Sequence, residues 1–300
     1  MPTNLWPTPG VGDGAAEAIP APTFLIIGAM KTGTTSLYHY LAHHPQVHMP
    51  RQKEIDFFSE PAIWRLGWEW YLGQFASAPS SAVAIGEAST SYTKFPEFSD
   101  VPRRIAERLP RVRLVYLIRH PVERIHSQYA HHVLMGDERR PISEALLADP
   151  RYLNTSQYAM QLEQYLRYFD RDQILIVQAE HLRSVRRTTV RRIFTFLGID
   201  HEWTSPVIDQ EFYQTAERWW VPPTVRRARR LRSFRRLVHS SWPWLARLRR
   251  RTLERVAATG SAIPAAITGD VQRWLEDRLR DDVRRLRQYI GENFDGWGLA

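Results

Sequence analysis

The chain of 300 residues contains no cysteine, which excludes a disulfide framework and thiolate chemistry and is compatible with a reducing cytoplasm. No apolar run approaches the ~20 residues that a membrane-spanning helix needs. Residues 1–22 also lack the basic start and apolar run of a secretory signal. From these absences we expect a cytoplasmic protein.

Acidic residues are absent from one long segment, which we call the basic segment. From Arg218 to Leu253 the sequence has twelve arginines and no Asp or Glu, so the rest of the chain carries about −3 of the net charge of +9. Arginine mixed with Trp242 and Trp244 suits an anionic membrane surface, to which the protein would bind peripherally. Nucleic acid is an alternative partner. Because no recognition motif accompanies the charge, we expect no nucleic acid.

The remaining composition is that of a globular protein, with 43% apolar and 12% aromatic residues. Proline and glycine gather at the beginning of the chain, which predicts a disordered leader over residues 1–22. We expect residues 23–300 to form one domain, with residues 218–255 as a basic lid or surface segment. The sequence gives no indication of the oligomeric state.

Apolar runs of strand length alternate with helical patterns along the domain. Strands are predicted at residues 24–30, 47–50, 82–89, 112–119 and 174–182. Helices are predicted at residues 36–45 and 156–170, and a mainly helical region covers residues 184–300. This alternation predicts an α/β fold with a central parallel sheet flanked by helices, a P-loop-like arrangement of three layers with a helical C-terminal region.

The sequence FLIIGAMKTGTTS, residues 24–36, runs from a strand through a glycine-broken turn into a helix. Unpaired backbone N–H groups at a helix start favour an anion such as phosphate, and Lys31 adds a positive charge. The order differs from the nucleotide-binding motif GxxxxGK[ST], because Lys31 precedes the second glycine, Gly33. The lysine is therefore expected inside the turn.

The chain resembles the sulfotransferases in several segments. They are this loop, KEIDFF at 53–58, EASTSY at 87–92, LVYLIRHPVERIHSQY at 114–129, FTFLGI at 194–199 and RLRQYIGENFDGW near the C-terminus. These enzymes use 3′-phosphoadenosine 5′-phosphosulfate (PAPS) as sulfonate donor. The similarity is greatest to bacterial members and to Golgi glycan sulfotransferases. It extends over roughly residues 23–298.

The resemblance implies two anion sites for PAPS. The first is the 5′-phosphosulfate loop, with Lys31 as a catalytic residue on the bridge between phosphate and sulfonate. Its expected donor-binding residues are Gly28, Lys31, Thr32, Gly33, Thr34, Thr35 and Ser36. Charge grows on the bridging oxygen as the sulfur departs, so a fixed cation there would stabilise the transition state more than the ground state.

The second implied site binds the 3′-phosphate through Arg119 and Ser127, which match the family pattern R-x7-S. Arginine suits this role because its planar fork can bond two phosphate oxygens and keeps its charge. A structural ion pair is the alternative for Arg119. The family also implies that the basic segment forms a lid over the donor, which makes Arg218 a further donor-binding candidate, with Arg226 and Arg227 as weaker ones.

The resemblance implies that Glu54 is the catalytic base, since relatives carry a base in the matching string. A carboxylate is ionised at neutral pH and can accept the proton of the attacking group. His48 and His126 are rival bases. Glu87 and Ser89 are expected either to line the acceptor cleft or, for Glu87, to pair with Lys31 or Arg119. Tyr158 is interpreted as a core aromatic residue, with a position beside the cofactor as the alternative.

Together these features predict a PAPS-dependent sulfotransferase acting on a hydroxyl or amine of a glycan, lipid or small metabolite, with adenosine 3′,5′-bisphosphate as product. No metal is expected, because Arg119 and His120 end the strand at which a phosphoryl-transfer enzyme would offer an aspartate for Mg²⁺. Two other classes remain as alternatives. They are a P-loop kinase that uses ATP and Mg²⁺, and a non-catalytic basic protein that binds membranes or nucleic acid.

Overall fold

The sheet of the computed structural model, which describes residues 19–212, 267 and 269–300, is fully parallel. Its strand order is β2-β3-β1-β4-β5. The strands are β1 Phe24–Gly28, β2 Val47–His48, β3 Ala84–Ala88, β4 Arg113–Ile118 and β5 Ile174–Gln178. The predicted parallel α/β sheet is confirmed.

Helices connect and cover these strands. They are α1 Thr34–Ala42, α2 Pro61–Trp64, α3 Trp68–Gly73, α4 Val101–Arg108, α5 Pro121–Met135, α6 Ile142–Ala148, α7 Arg151–Asn154, α8 Tyr158–Tyr165, α9 Ala179–Ser184, α10 Arg186–Leu197 and α11 Gly269–Ile290. A 3₁₀ turn, Thr90–Thr93, follows β3.

Alternate residues of the central strands supply two separate cores, because successive side chains of a strand point to opposite faces. On one face, Leu25 and Ile27 of β1 pack with residues of α4, α8 and α11. On the other, Phe24 and Ile26 pack with residues of α1 and α10. Gly86 of β3 lies opposite Phe24, and a Cβ there would come within 2.5 Å of the phenylalanine ring. The sheet is therefore the middle of three layers, as predicted.

The predicted fifth strand was too long. Residues 174–182 were expected to be extended, but β5 ends at Gln178 and α9 begins at Ala179. The carboxylate of Glu180 then accepts the backbone N–H of His120 at 2.8 Å, at the end of the neighbouring strand β4. The chain therefore turns into α9 at Ala179, although the apolar pattern of the sequence continues beyond the end of β5.

Some predictions concern residues outside the described ranges. The first 18 residues of the predicted leader and the basic segment from Arg218 to Leu253, with Arg226 and Arg227, all belong to this group. Among the residues that the structure describes, no helix has both the length and the apolar character needed to cross a bilayer.

Candidate functional site

The predicted functional segments meet at one edge of the sheet. The Lys31 loop follows β1, and Arg119 follows β4, the neighbour of β1. The chain continues from β1 to β2 on one side of the sheet and from β4 to β5 on the other. Ligands of open α/β sheets bind beyond the carboxyl ends of strands at such a reversal, and neighbouring strands lie only about 4.8 Å apart. The topology thus places the Lys31 loop and Arg119 after neighbouring strands at this reversal.

The turn after β1 has a backbone that only certain residues adopt easily. Gly28 has φ of 144°, and a Cβ at this position would lie 2.0 Å from the Thr93 hydroxyl oxygen. Lys31 has φ of 72°, in the left-handed region that non-glycine residues seldom adopt. The Thr32 hydroxyl donates to the Ala29 carbonyl at 2.7 Å and closes the turn. The lysine therefore lies inside the turn, as its position before Gly33 indicated.

The start of α1 faces the same edge. Gly33 is the N-cap residue, with φ of 97°, and no side chain caps the helix. A Cβ on Gly33 would have no heavy atom within 4 Å, so the space above the first turn is open. The N–H groups of Thr34, Thr35 and Ser36 occupy the first turn, where an α-helix supplies no internal acceptor. The Ser36 hydroxyl is engaged elsewhere, because it donates to the Phe212 carbonyl at 3.2 Å.

Arg119 lies directly after β4, with its side chain 17% exposed. Its Nε and Nη2 donate to Oε2 of Glu123 at 3.1 and 2.6 Å, and these hydrogen bonds lower the pKa of Glu123 below its ordinary value. The Glu123 side chain is 55% exposed. Such an exposed pair contributes at most about 1 kcal/mol, so a phosphate could displace the carboxylate at little cost. Ser127, the second predicted 3′-phosphate residue, lies one turn farther along α5.

Tyr158 supports the turn at Arg119 from the side of the hydrophobic core. Its side chain is buried with Leu162 and Tyr165, which confirms the core interpretation. Its hydroxyl donates to the Arg119 carbonyl at 2.7 Å and accepts the Arg119 N–H at 3.3 Å. The core therefore fixes the backbone of Arg119.

The segment that carries Glu54 lies along the end of β3, the other neighbour of β1. The Glu54 N–H donates to the Ala88 carbonyl at 3.0 Å, and the Asp56 N–H donates to the Ser89 hydroxyl at 3.0 Å. Both acidic residues have left-handed backbones, with φ of 62° and 57°. Ile55, between them, is fully buried. Such backbones persist only where their surroundings hold them, and they are frequent at functional sites.

Charges near Glu54 favour its ionised form. Burial alone would raise the pKa of Glu54, but the Lys53 ammonium, 2.9 Å from Oε1, and the charge of Lys94 lower it below its ordinary value. The side chain remains 47% exposed. Burial raises the pKa of Asp56 instead, although a 2.5 Å hydrogen bond from the Ser91 hydroxyl opposes this shift. Glu54 is therefore the more exposed of the two carboxylates, and its neighbours favour its charge.

Glu87 does not have either role predicted for it. Its side chain is 1% exposed, so it does not line a cleft, and its carboxylate has hydrogen-bond partners other than the predicted Lys31 and Arg119. Instead it accepts hydrogen bonds from Tyr71, Ser89 and Tyr92 at 2.9, 2.6 and 2.6 Å. Burial raises the pKa of Glu87 to about 7 against the effect of these three bonds.

The buried Glu87 supports the Glu54 segment indirectly. The Ser89 hydroxyl donates to Glu87 and accepts the N–H of Asp56, so the carboxylate, the serine and the segment form one chain of hydrogen bonds. The aromatic rings of Phe57, Phe58 and Tyr71 pack against one another, with centroids 4.5 to 5.2 Å apart. Sequence reasoning missed this support.

Lysine is rare in this arginine-rich chain, and its positions indicate the site. Only three of the 41 basic residues are lysines, namely Lys31, Lys53 and Lys94. Lys31 lies in the anion loop, Lys53 contacts Glu54, and Lys94 ends the 3₁₀ turn after β3. All three thus belong to segments at the carboxyl edge of the sheet. This compositional signal was available in the sequence.

The two rival bases differ in their surroundings. His48 ends β2 at the edge of the sheet, and burial lowers the pKa of its imidazole. Its Nε2 is buried and has no hydrogen-bond partner in the described part of the chain. His126 lies on α5, next to Ser127. Both histidines therefore stay predicted alternatives to Glu54.

The expectation that no metal takes part also stays a prediction.

A family model for the sulfotransferase domain matches residues 21–221 of the chain. Among curated proteins, the chain is similar to the human bifunctional heparan sulfate N-deacetylase/N-sulfotransferase 2, with 32% identity over 198 residues. It is 31% identical over 200 residues to human bifunctional heparan sulfate N-deacetylase/N-sulfotransferase 3. Each match covers 59% of this chain and 22% of the relative, so the similarity extends over about a fifth of those longer proteins.

A solved structure shares the fold. The crystal structure of a sulfotransferase from Alicyclobacillus acidocaldarius superposes with a TM-score of 0.67. The superposition covers 93% of this chain and 99% of the other, at 22% sequence identity. The agreement over nearly the full length confirms the P-loop-like α/β architecture.

Proposed function

This chain belongs to the sulfotransferase family, and from that premise we propose that it transfers a sulfonate group from PAPS to a hydroxyl or amine of an acceptor, releasing adenosine 3′,5′-bisphosphate. The observation that carries the proposal is that the Lys31 loop and Arg119 follow the neighbouring strands β1 and β4, where the strand order reverses. Two anion-binding segments at such a reversal suit a nucleotide with phosphate groups on both its 5′ and 3′ positions.

The Lys31 loop would bind the 5′-phosphosulfate. Backbone N–H groups of Thr34, Thr35 and Ser36 would donate to the 5′-phosphate at the positive end of α1. The Lys31 ammonium would lie against the oxygen that bridges phosphorus and sulfur. When that S–O bond breaks, its electron pair remains on the phosphate oxygen, and the fixed cation stabilises the added charge. Arg119 and Ser127 would bind the 3′-phosphate, with Arg119 exchanging Glu123 for it.

Glu54 would act as the base on the opposite side. As the acceptor oxygen or nitrogen forms its bond to sulfur, in line with the departing phosphate, its proton moves to the Glu54 carboxylate. The segment supports this role because Glu54 is ionised and exposed while its backbone is held at the end of β3. His48 and His126 remain the alternative bases.

The acceptor is proposed only as a chemical class. Two relatives are named for N-sulfotransferase activity on heparan sulfate, which makes a glycan amine the first acceptor to assay. The family assignment does not favour the kinase or the non-catalytic alternative. Contact of the basic segment, and of Arg218 within it, with the donor or with an anionic membrane surface stays a prediction.

Calorimetric titration tests the proposed donor. Adenosine 3′,5′-bisphosphate and ATP would each be titrated with and without Mg²⁺. We expect the bisphosphate to bind more tightly than ATP and to bind equally well in both conditions, because every proposed contact is made by the protein itself. A preference for ATP that depends on Mg²⁺ would instead indicate a kinase.

A further inference from the structure

Arg124 is completely buried beneath the second anion site. It lies in the first turn of α5 with 0% exposure. All three nitrogens of its guanidinium group donate hydrogen bonds. Nε donates to the Ser156 hydroxyl at 2.5 Å, Nη1 to the Gln128 side-chain carbonyl at 2.7 Å and Nη2 to the Tyr152 backbone carbonyl at 2.7 Å.

All three acceptors are neutral, so none of them supplies a counter-charge. No carboxylate in the described ranges forms an ion pair with it. A buried charge without a partner is costly, and proteins usually pair it or neutralise it. Burial lowers the pKa of Arg124 to about 10, which still leaves the side chain charged at neutral pH. A buried methionine or leucine would avoid this cost, so the cation needs an explanation.

The hydrogen bonds of Arg124 lead to the turn that presents Arg119. The Ser156 hydroxyl, which accepts from Arg124, donates to the Pro121 carbonyl at 3.0 Å. The Arg124 backbone N–H donates to the His120 carbonyl at 2.9 Å. The backbone bond belongs to the helix and needs no arginine, so the Arg124 side chain supports Pro121, two residues after Arg119, through the Ser156 hydroxyl. The two guanidinium charges also repel each other, since Arg119 contributes to the lowered pKa of Arg124.

Two carboxylates lie at this turn, and neither forms an ion pair with Arg124. Glu123 pairs with Arg119, and Glu180 accepts the His120 N–H. Resting on the function proposed above, we propose that Arg124 is a positioning residue of the 3′-phosphate subsite. Its buried charge strengthens binding of the 3′-phosphate dianion without touching the nucleotide, and its hydrogen bond to the Ser156 hydroxyl holds the turn at Pro121.

This role has a physical basis in the low polarity of the protein interior. A charge surrounded by core atoms is screened much less than a surface charge, so its field reaches a neighbouring site. The field decreases with distance, so it acts more strongly on the 3′-phosphate, which would bind at Arg119, than on the 5′-phosphate at the start of α1. The effect should therefore appear as selectivity for the 3′-phosphorylated nucleotide and not as a uniform loss of binding.

The test compares two nucleotides that differ only in the 3′-phosphate, adenosine 3′,5′-bisphosphate and adenosine 5′-monophosphate. Their dissociation constants would be measured by calorimetry for the wild type, Arg124→Met and Arg124→Gln. Both variants remove the charge, and glutamine retains a donor for the hydrogen bonds. Arg284→Met is the matched control, because Arg284 is an exposed arginine paired with the exposed Asp281 at 3.0 Å.

We expect both Arg124 variants to lose about tenfold in affinity for the bisphosphate and to remain within about twofold for the monophosphate. Arg284→Met should change neither. An unchanged ratio of the two affinities in Arg124→Gln would overturn the proposal. If neither affinity changes, the charge has no role, and if both affinities fall equally, Arg124 is a purely structural residue. If Arg124→Met fails to fold, Arg124→Gln alone decides.

The same data separate this proposal from the proposed function. A wild type that does not prefer the bisphosphate contradicts the 3′-phosphate subsite itself. A wild type with that preference, retained in the variants, contradicts only the role of Arg124.

Discussion

Replacing Glu54 by glutamine is expected to lower turnover by ~10²- to 10⁴-fold, the usual contribution of a general base. Glutamine has nearly the same shape but cannot accept the proton of the acceptor. Because the Glu54 N–H, and not its side chain, ties the segment to Ala88, the variant should keep its local structure. Single-turnover rates with labelled PAPS would measure the loss, using any acceptor that the wild type modifies in a screen of amines and hydroxyls.

The Glu54→Gln variant should bind adenosine 3′,5′-bisphosphate as the wild type does, since Glu54 lies on the acceptor side. Glu69→Gln, which changes an exposed acid of α3, serves as the control and should be fully active. The pH profile gives a second readout. Activity should fall as pH decreases through the pKa of Glu54, which its cationic neighbours keep below the ordinary value for glutamate. A glutamine variant with turnover within a few fold of the wild type would transfer the base role to His48 or His126.

Replacing Lys31 by alanine is expected to reduce turnover by ~10²- to 10³-fold, the range measured when one stabilising group at a developing negative charge is removed. The ammonium contributes most when charge accumulates on the bridging oxygen, so the rate should fall more than the affinity for the nucleotide product. Burst or single-turnover kinetics with labelled donor would separate these two quantities. Turnover close to that of the wild type would remove Lys31 from catalysis.

Two further variants define what Lys31 supplies. Lys31→Met retains the length of the side chain without its charge and should be as slow as the alanine variant. Lys31→Arg retains the charge but has a planar group that fits the turn poorly, so it should recover only part of the rate. Equal thermal unfolding temperatures among the variants would show that the left-handed turn persists without the lysine.

The sequence was sufficient to predict that the candidate segments share one edge of the sheet, because β1, β3 and β4 are apolar runs followed closely by Lys31, Ser89 and Arg119. In a parallel sheet such residues must share an edge. The candidate residues of each segment could therefore be proposed before the fold was known.

The environment of Glu87 could not be predicted in the same way. Its partners Tyr71 and Tyr92 come from α3 and from the 3₁₀ turn after β3, and only the packing of these elements brings the two hydroxyls to one carboxylate. Arg124 is a similar case. It lies inside the R-x7-S spacing as an apparent spacer, and its hydrogen-bond partners come from α7 and from the turn that follows α7, which the local pattern does not specify.

The central claim is that the Lys31 loop and Arg119 hold opposite ends of one nucleotide, and a crystal structure with adenosine 3′,5′-bisphosphate tests it most directly. The account predicts the 5′-phosphate at the first turn of α1 beside Lys31, and the 3′-phosphate hydrogen-bonded to Arg119 and Ser127. A nucleotide that contacts only one of the two segments, with Lys31 and Arg119 facing separate clefts, would contradict it.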